Sequence, residues 1–310
     1  MDTRGALGLL LAALLAAPAA LRAGEFVSTP SILTVHGLNP AAIACDPGSV
    51  QNFAHNEACY AAAALFSKMG DPERFDDSYL DESVKGLCRG DCGRVTAFRW
   101  GGDIKTSRAA VERLKEEILR LGRQAREQGA PFIIIAHSWG TVLTAEALAE
   151  MDGDATAGDL RVDKLVTLGS PLGAAAYSLA VNGLISGQNF YQKPRRAAQV
   201  ARWDNYYAPR DLISSRVALA DSNTAIDSDP KYDDAERRLE ELLLLQAGTP
   251  GGQELTAGTA RDLQHFTLAG ATELWHAAYF TRHRLQLDSL SETLDIDAVS
   301  RYSPGYFSWQ

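Results

Sequence analysis

The sequence predicts an α/β fold, a mainly parallel sheet of about six strands with helices on both faces. Three observations predict it. The run Phe132 to Ala136 is apolar and holds Ile133, Ile134 and Ile135, which suits a strand buried on both faces, with no polar side to alternate with. Directly after it, Val142, Leu143, Ala145, Leu148 and Ala149 recur at helical spacing, so strand turns sharply into helix around Ser138. Strand-like and helix-like stretches then alternate along the chain. Right-handed crossovers turn that alternation into a parallel sheet whose ligands lie beyond the carboxyl ends of the strands.

Taken in order, residues 1–23 read as a targeting segment, with Arg4, an apolar stretch from Ala6 to Ala17, then Pro18 and small residues up to Leu21-Arg22-Ala23. Cleavage is expected near Ala23, and export to the periplasm or exterior follows from it. The apolar stretch falls short of the roughly 20 residues that span a bilayer, which argues against an uncleaved anchor. Residues 24–310 are expected to form a single domain, and 46% hydrophobic residues suffice for its core. No second stretch approaches membrane length.

Ser31 to Leu38 is the first strand, ending in His36-Gly37, and Asn56 to Met69 reads as an alanine-rich helix stopped by Gly70-Asp71-Pro72. A polar segment with Cys88 and Cys92 leads to a second strand, Arg94 to Trp100, ended by Gly101-Gly102. From Ser107, the positions Val111, Leu114, Ile118, Leu121 and Ala125 form one apolar stripe, with Glu112, Arg113, Glu116 and Arg120 opposite. Gly129 closes this helix and Pro131 opens the third strand, whose helix runs to about Met151. Val162 to Leu168 is the fourth strand, Arg202 to Ala208 the fifth and Asp262 to Leu268 the sixth. An acidic helical insertion is expected near 215–258, and a helix with an aromatic tail after His276.

Composition narrows the function. A formal charge of -9 and pI near 5.2, with no basic stripe, exclude a nucleic-acid binder. Cys45, Cys59, Cys88 and Cys92 are even in number, as export predicts, and two disulfides are expected. The local pairs Cys45/Cys59 and Cys88/Cys92 are one of three connectivities, among which the sequence does not choose. The spacing lacks a Cys-x2-Cys pair and a matching His pair, which disfavours zinc. Asp221, Asp227, Asp229, Asp233 and Asp234 lack the glycine and terminal glutamate of a calcium loop. No Asn-x-Ser/Thr sequon is present.

The chemistry centres on Ser138. A serine hydroxyl is a poor nucleophile at neutral pH and needs a base within hydrogen-bond reach, itself oriented by a third group. A tight strand-to-helix turn projects the hydroxyl and aims the first N–H groups of the helix at charge developing beside it. Ala136-x-Ser138-x-Gly140 resembles the nucleophile elbow of the α/β-hydrolase superfamily, in the variant with alanine at the first small position that some lipases carry.

That resemblance, which extends from His36 to His276, implies the order serine, acid, histidine. His276 opens Leu274-Trp275-His276-Ala277-Ala278-Tyr279, similar to the catalytic histidine of lipases, where small residues and an aromatic follow. His137 adjoins the serine but points away in an elbow and reads as a packing residue. His36 reads as structural, His55 and His283 lack partners, and His265 lies within a strand. Asp211 resembles the acid of the Tyr-x-x-x-Asp ending, with Asp204 in reserve; Asp103 would need an unusual order. His36-Gly37-Leu38 resembles the oxyanion motif, placing one donor on the Leu38 N–H and the other on Trp139. Whether the Trp139 ring lines the site or packs away is open. The two leading strands of larger members are missing, as in small lipases.

The expected activity is therefore a secreted or periplasmic serine hydrolase acting on ester or lipid substrates, a lipase-like esterase that draws on no cofactor and no metal. Thioesterase and acyltransferase use the same triad. A noncatalytic binding protein, a decayed hydrolase or one using the Arg89-Gly90-Asp91 loop, is the alternative from another class.

Overall fold

The computed structural model describes residues 29–38, 79–88, 93–103, 106–154, 157–173, 195–211, 213–226, 282–287 and 292–297, with Arg237, His276 and Tyr279. Its elements are β1 (Ser31–Val35), α1 (Tyr79–Cys88), β2 (Arg94–Phe98), α2 (Ser107–Glu127), β3 (Phe132–His137), α3 (Trp139–Glu150), β4 (Lys164–Leu168), β5 (Trp203–Tyr207), β6 (Ser222–Ala225), β7 (Arg282–Leu287) and β8 (Glu292–Asp297). The first six strands form one sheet in the order β2-β1-β3-β4-β5-β6, every pair parallel. This is the α/β architecture expected from the strand and helix alternation.

Both faces of the sheet are buried. On one face Leu33, Val35, Phe98, Ile134, Ala136, Leu165 and Trp203 join a core cluster with α2 and α3. The predicted stripe of α2 is seated in it, with Val111, Leu114, Ile118 and Leu121 at 0% exposure. Burying each such side chain contributes about 1.5–3 kcal/mol. Helix α3 is buried along its whole length from Trp139 to Ala149, and Thr144 donates to the Gly140 carbonyl at 2.8 Å instead of facing water. Arg108 of α2 bridges to Glu146 and Glu150 of α3, fixing the two helices at their polar margin. On the other face Ile32, Ile133, Ile135, Val166 and Leu168 are equally inaccessible, as the continuous isoleucine run requires.

Three expectations differ from the structure. Inside the stretch assigned to the acidic helical insertion the structure has a strand, β6; its sequence Ser-Asn-Thr-Ala is short, polar and only partly buried, as an edge strand is, and carries no apolar signature. The segment before Cys88 is helical because Leu80 and Val84, one turn apart, are buried while Lys85 pairs with Asp81 and Glu82 in the first turn. Beyond His276, where a helix and an aromatic tail were expected, the described residues form the antiparallel hairpin β7-β8, with Arg282 opposite Asp297, Arg284 opposite Asp295 and Leu285 opposite Leu294.

Residues 1–23, the helix Asn56 to Met69, the strand Asp262 to Leu268, and Cys45, Cys59 and Cys92 lie outside the described residues, as does Arg89-Gly90-Asp91. Among the described residues no helix is long and apolar enough to cross a membrane.

Candidate active site

Strand order places the site. The chain leaves β1 towards β2 on one side and β3 towards β4 on the other, the strand reversal at whose carboxyl edge open α/β sheets place their ligand crevice. His36-Gly37-Leu38 follows β1 and Ser138 follows β3. Gly37 passes directly over the serine: a Cβ on it would lie 2.7 Å from Ser138 Cβ and 3.2 Å from Ser138 Oγ.

Ser138 has φ 52° and ψ −128° and is the one non-glycine residue at positive φ among those described. Such a backbone stores about 1–3 kcal/mol of strain and persists where its surroundings over-determine it. Here they do. Ser138 N–H donates to the Leu168 carbonyl at 2.9 Å, and its own carbonyl accepts from Thr141 N–H at 3.0 Å and Thr141 Oγ1 at 2.7 Å. Thr141 Oγ1 in turn lies 2.8 Å from Ser170 Oγ, in the loop after β4. Gly140 has no alternative, because a Cβ there would lie 2.3 Å from the Val35 carbonyl oxygen and 2.5 Å from that of His36.

The Trp139 ring packs away from the crevice. It belongs to the core cluster, and its Nε1–H donates to Ser107 Oγ at 2.9 Å. Its backbone N–H belongs to the first residue of α3, where the helix dipole favours negative charge. Leu38 is half-buried beside the same cluster. The His36 carbonyl accepts from Trp100 Nε1–H at 3.1 Å, and the two rings stack with centroids 5.6 Å apart, holding the loop after β1.

Asp211 lies after β5 on the same edge and is 1% exposed. His276 Nδ1 is 2.6 Å from Asp211 Oδ2, Ile213 N–H donates to Oδ1 at 2.9 Å, and Tyr279 O–H donates to Oδ2 at 3.3 Å. The loop holding the carboxylate is pinned by a pair of amides on the sheet, the buried Asn205 and the partly buried Asn223. Thr167 Oγ1 donates to Asn205 Oδ1, Asn205 Nδ2 donates to Asn223 Oδ1 and to the Ser215 carbonyl, and Asn223 Oδ1 also accepts from Val217 N–H.

His137 does more than pack. It is 5% exposed, its ring lies 4.7 Å from that of His276, and its Nε2–H donates to the His276 carbonyl at 3.1 Å. Burial pushes His137 well below the ordinary histidine range; the neighbouring His276 and His36 push the same way, against the pull of the His276 carbonyl. It is therefore neutral at physiological pH, with its proton on Nε2, where the carbonyl accepts it. The residue before Ser138 thus ties β3 to the backbone of His276.

Asp204, the reserve acid, is elsewhere. It faces Lys164 at 3.0 Å, both side chains almost fully inaccessible, and accepts from Arg202 Nε and Ser222 Oγ. Burial works against its charge, but Ser222, Arg202 and Lys164 outweigh it and hold the carboxyl below the usual range. Asp103 sits at the turn into α2, its carbonyl capped by Thr106. Of the histidines, His55 and His265 lie outside the described residues and His283 falls on β7.

The structure therefore places Leu38, Ser138 and Trp139 together at the crevice, and pairs Asp211 with His276. Two contacts join the groups: His137, adjacent to the serine, holds His276, and Ser138 N–H bonds to the end of β4. No hydrogen bond links Ser138 Oγ to His276 itself, a contact that commonly tightens only when a substrate is present. A cavity of about 600 Å³ lined by Leu119, Arg123, Arg126, Asp159 and Leu160 lies away from these residues, on the outer side of α2. His137, Asn205 and Tyr279 are the contributors to which sequence reasoning gave no role at the site; for Tyr279 the available signal was its place three residues after His276.

Compared with known proteins, the chain matches no protein-family model, and no curated protein matches its sequence.

Proposed function

We propose that this chain is an exported serine hydrolase of the α/β-hydrolase superfamily that cleaves carboxylic esters, lipase-like in character, through an acyl-enzyme. One observation carries the reading. A serine at a strained turn between a buried strand and a helix stands on the same sheet edge as a buried aspartate–histidine pair. Ser138 Oγ attacks the ester carbonyl as His276 Nε2 takes its proton, and Asp211 holds the imidazolium through Nδ1–H. The Leu38 and Trp139 N–H groups receive the oxyanion, each donor worth about 10²–10³ in rate. His276 returns the proton to the leaving alcohol, and water enters by the same route to release the acid.

Fluorophosphonate labelling tests the reading. Folded protein is expected to acquire one adduct, located on Ser138 by peptide mass spectrometry, and Ser138→Ala to acquire none. A folded wild-type protein that stays unlabelled would sink the assignment. Turnover of p-nitrophenyl esters of graded chain length, beside acyl thioesters, then distinguishes ester from thioester hydrolysis.

His137 supplies a second test. His137→Phe keeps a buried ring but loses the donor to the His276 carbonyl, so kcat is expected to fall about tenfold with little change in KM. Steady-state rates with a short-chain ester measure this. Full activity in that variant would return His137 to a packing role.

A further inference from the structure

We propose that Tyr279 is a positioning residue of this site: its hydroxyl binds Asp211 on the same oxygen that receives His276, and it locks the segment bearing the base to the loop bearing the acid. The inference rests on the hydrolase reading above and concerns how its acid and base are held.

Tyr279 is 1% exposed and lies three residues after His276. The two rings meet edge to face, 6.5 Å between centroids. Both pack against the end of β4, since a Cβ on Gly169 would lie 2.9 Å from Tyr279 Cε2 and 3.1 Å from His276 Cε1. A phenylalanine would fill that space equally well. The hydroxyl therefore calls for its own account.

Its contacts supply one. The phenol oxygen accepts from Ala208 N–H at 2.7 Å, at the exit of β5, and lies 3.1 Å from Ser214 Oγ and 3.3 Å from Asp211 Oδ2. Ser214 Oγ also reaches the Ala208 carbonyl at 3.2 Å. Among the described residues the phenolic proton thus has two acceptors, the hydroxyl of Ser214 and the carboxylate of Asp211, and the charged acceptor is the stronger. Ala208, Asp211 and Ser214 all belong to the turn that follows β5. Through one oxygen, Tyr279 fixes the start, the middle and the end of that turn relative to His276.

The electronic consequence has a definite sign. A second donor on Oδ2 draws off carboxylate charge that would otherwise stabilise the His276 imidazolium. Removing it leaves the carboxylate a better partner for the charged base. The other titratable group facing His276 among the described residues is His137, neutral and buried; it is unaltered by the substitution.

The experiment is the pH dependence of kcat/KM for a soluble short-chain ester in wild type, Tyr279→Phe and Ser214→Ala. In Tyr279→Phe the acidic limb is expected to move up by about 0.3–1 pH unit, with kcat at the plateau reduced about tenfold and KM nearly unchanged. In Ser214→Ala the phenolic proton has Asp211 as its remaining acceptor, and the limb is expected to move the other way. A purely structural tyrosine would lower kcat and leave the limb in place. If both variants keep the wild-type limb, the inference is overturned. Should Tyr279→Phe fail to fold, the direction of the Ser214→Ala shift decides. A wild-type protein with neither turnover nor fluorophosphonate labelling would instead refute the hydrolase reading itself.

Discussion

Asp211→Asn is expected to lower kcat by about four orders of magnitude while the chain stays folded, because the asparagine keeps the shape of the carboxylate but not its charge. The amide can still accept from Ile213 N–H, so the turn after β5 survives. What it loses is the charge that holds His276 in the tautomer with Nδ1–H, 2.6 Å from Asp211 Oδ2. The reserve acid answers in the opposite way. Asp204→Asn leaves Lys164, 1% exposed, facing a neutral amide in a buried setting, and breaking such a pair from one side costs about 3–5 kcal/mol. That is a large part of the roughly 5–15 kcal/mol that keeps a domain folded. Turnover per folded molecule should nevertheless remain, since Asp204 touches neither Ser138 nor His276. Urea unfolding beside steady-state kinetics measures both quantities. Near-normal turnover in Asp211→Asn would overturn the assignment of the acid. The double substitution of Lys164 and Asp204 by Met and Leu, removing both charges, should recover much of the lost stability.

The contrast between the two aspartates shows where the sequence was legible. Asp204 lies within the fifth strand and Asp211 just past it; both satisfy the chain order, and the Tyr-x-x-x-Asp ending favoured the later one. Both are 1% exposed, so burial does not separate them; the pairing of Asp204 with Lys164 and the 2.6 Å contact of Asp211 to His276 do, and only the folded chain shows them. The strands themselves were readable wherever a buried face demanded apolar residues, as in Phe132 to Ala136, and so was α2, whose stripe has to meet the sheet. β6 was not, because an edge strand of Ser-Asn-Thr-Ala carries no hydrophobic period. α1 escaped for a related reason: Leu80 and Val84 are two apolar positions in a polar stretch, and their burial is set by tertiary neighbours. At the site, the turn geometry of Ser138 was legible because strand and helix periods collide there. The tie from His137 to His276 spans 139 residues of chain. No local pattern encodes such a contact, so His137 read as packing.

Gly37→Ala is expected to reduce kcat by about 10²–10³ through loss of one oxyanion donor, although residue 37 contributes no functional group. The added methyl would lie 2.7 Å from Ser138 Cβ, so one side has to move. Ser138 cannot give way: its N–H is bonded to Leu168, its carbonyl to Thr141, and Gly140 behind it is wedged against the carbonyls of Val35 and His36. The loop after β1 moves instead, and Leu38 N–H moves with it. Because Asp211 and His276 lie after other strands, their pairing is untouched and the pH profile should keep its shape. Fluorophosphonate labelling should slow by a factor similar to kcat, since the adduct places its oxygen in the same hole. Gly101→Ala is the control: a Cβ there meets nothing within 4 Å, and kcat should stay within about twofold of wild type. Turnover in Gly37→Ala as high as in that control would mean that the oxyanion is held elsewhere than on Leu38.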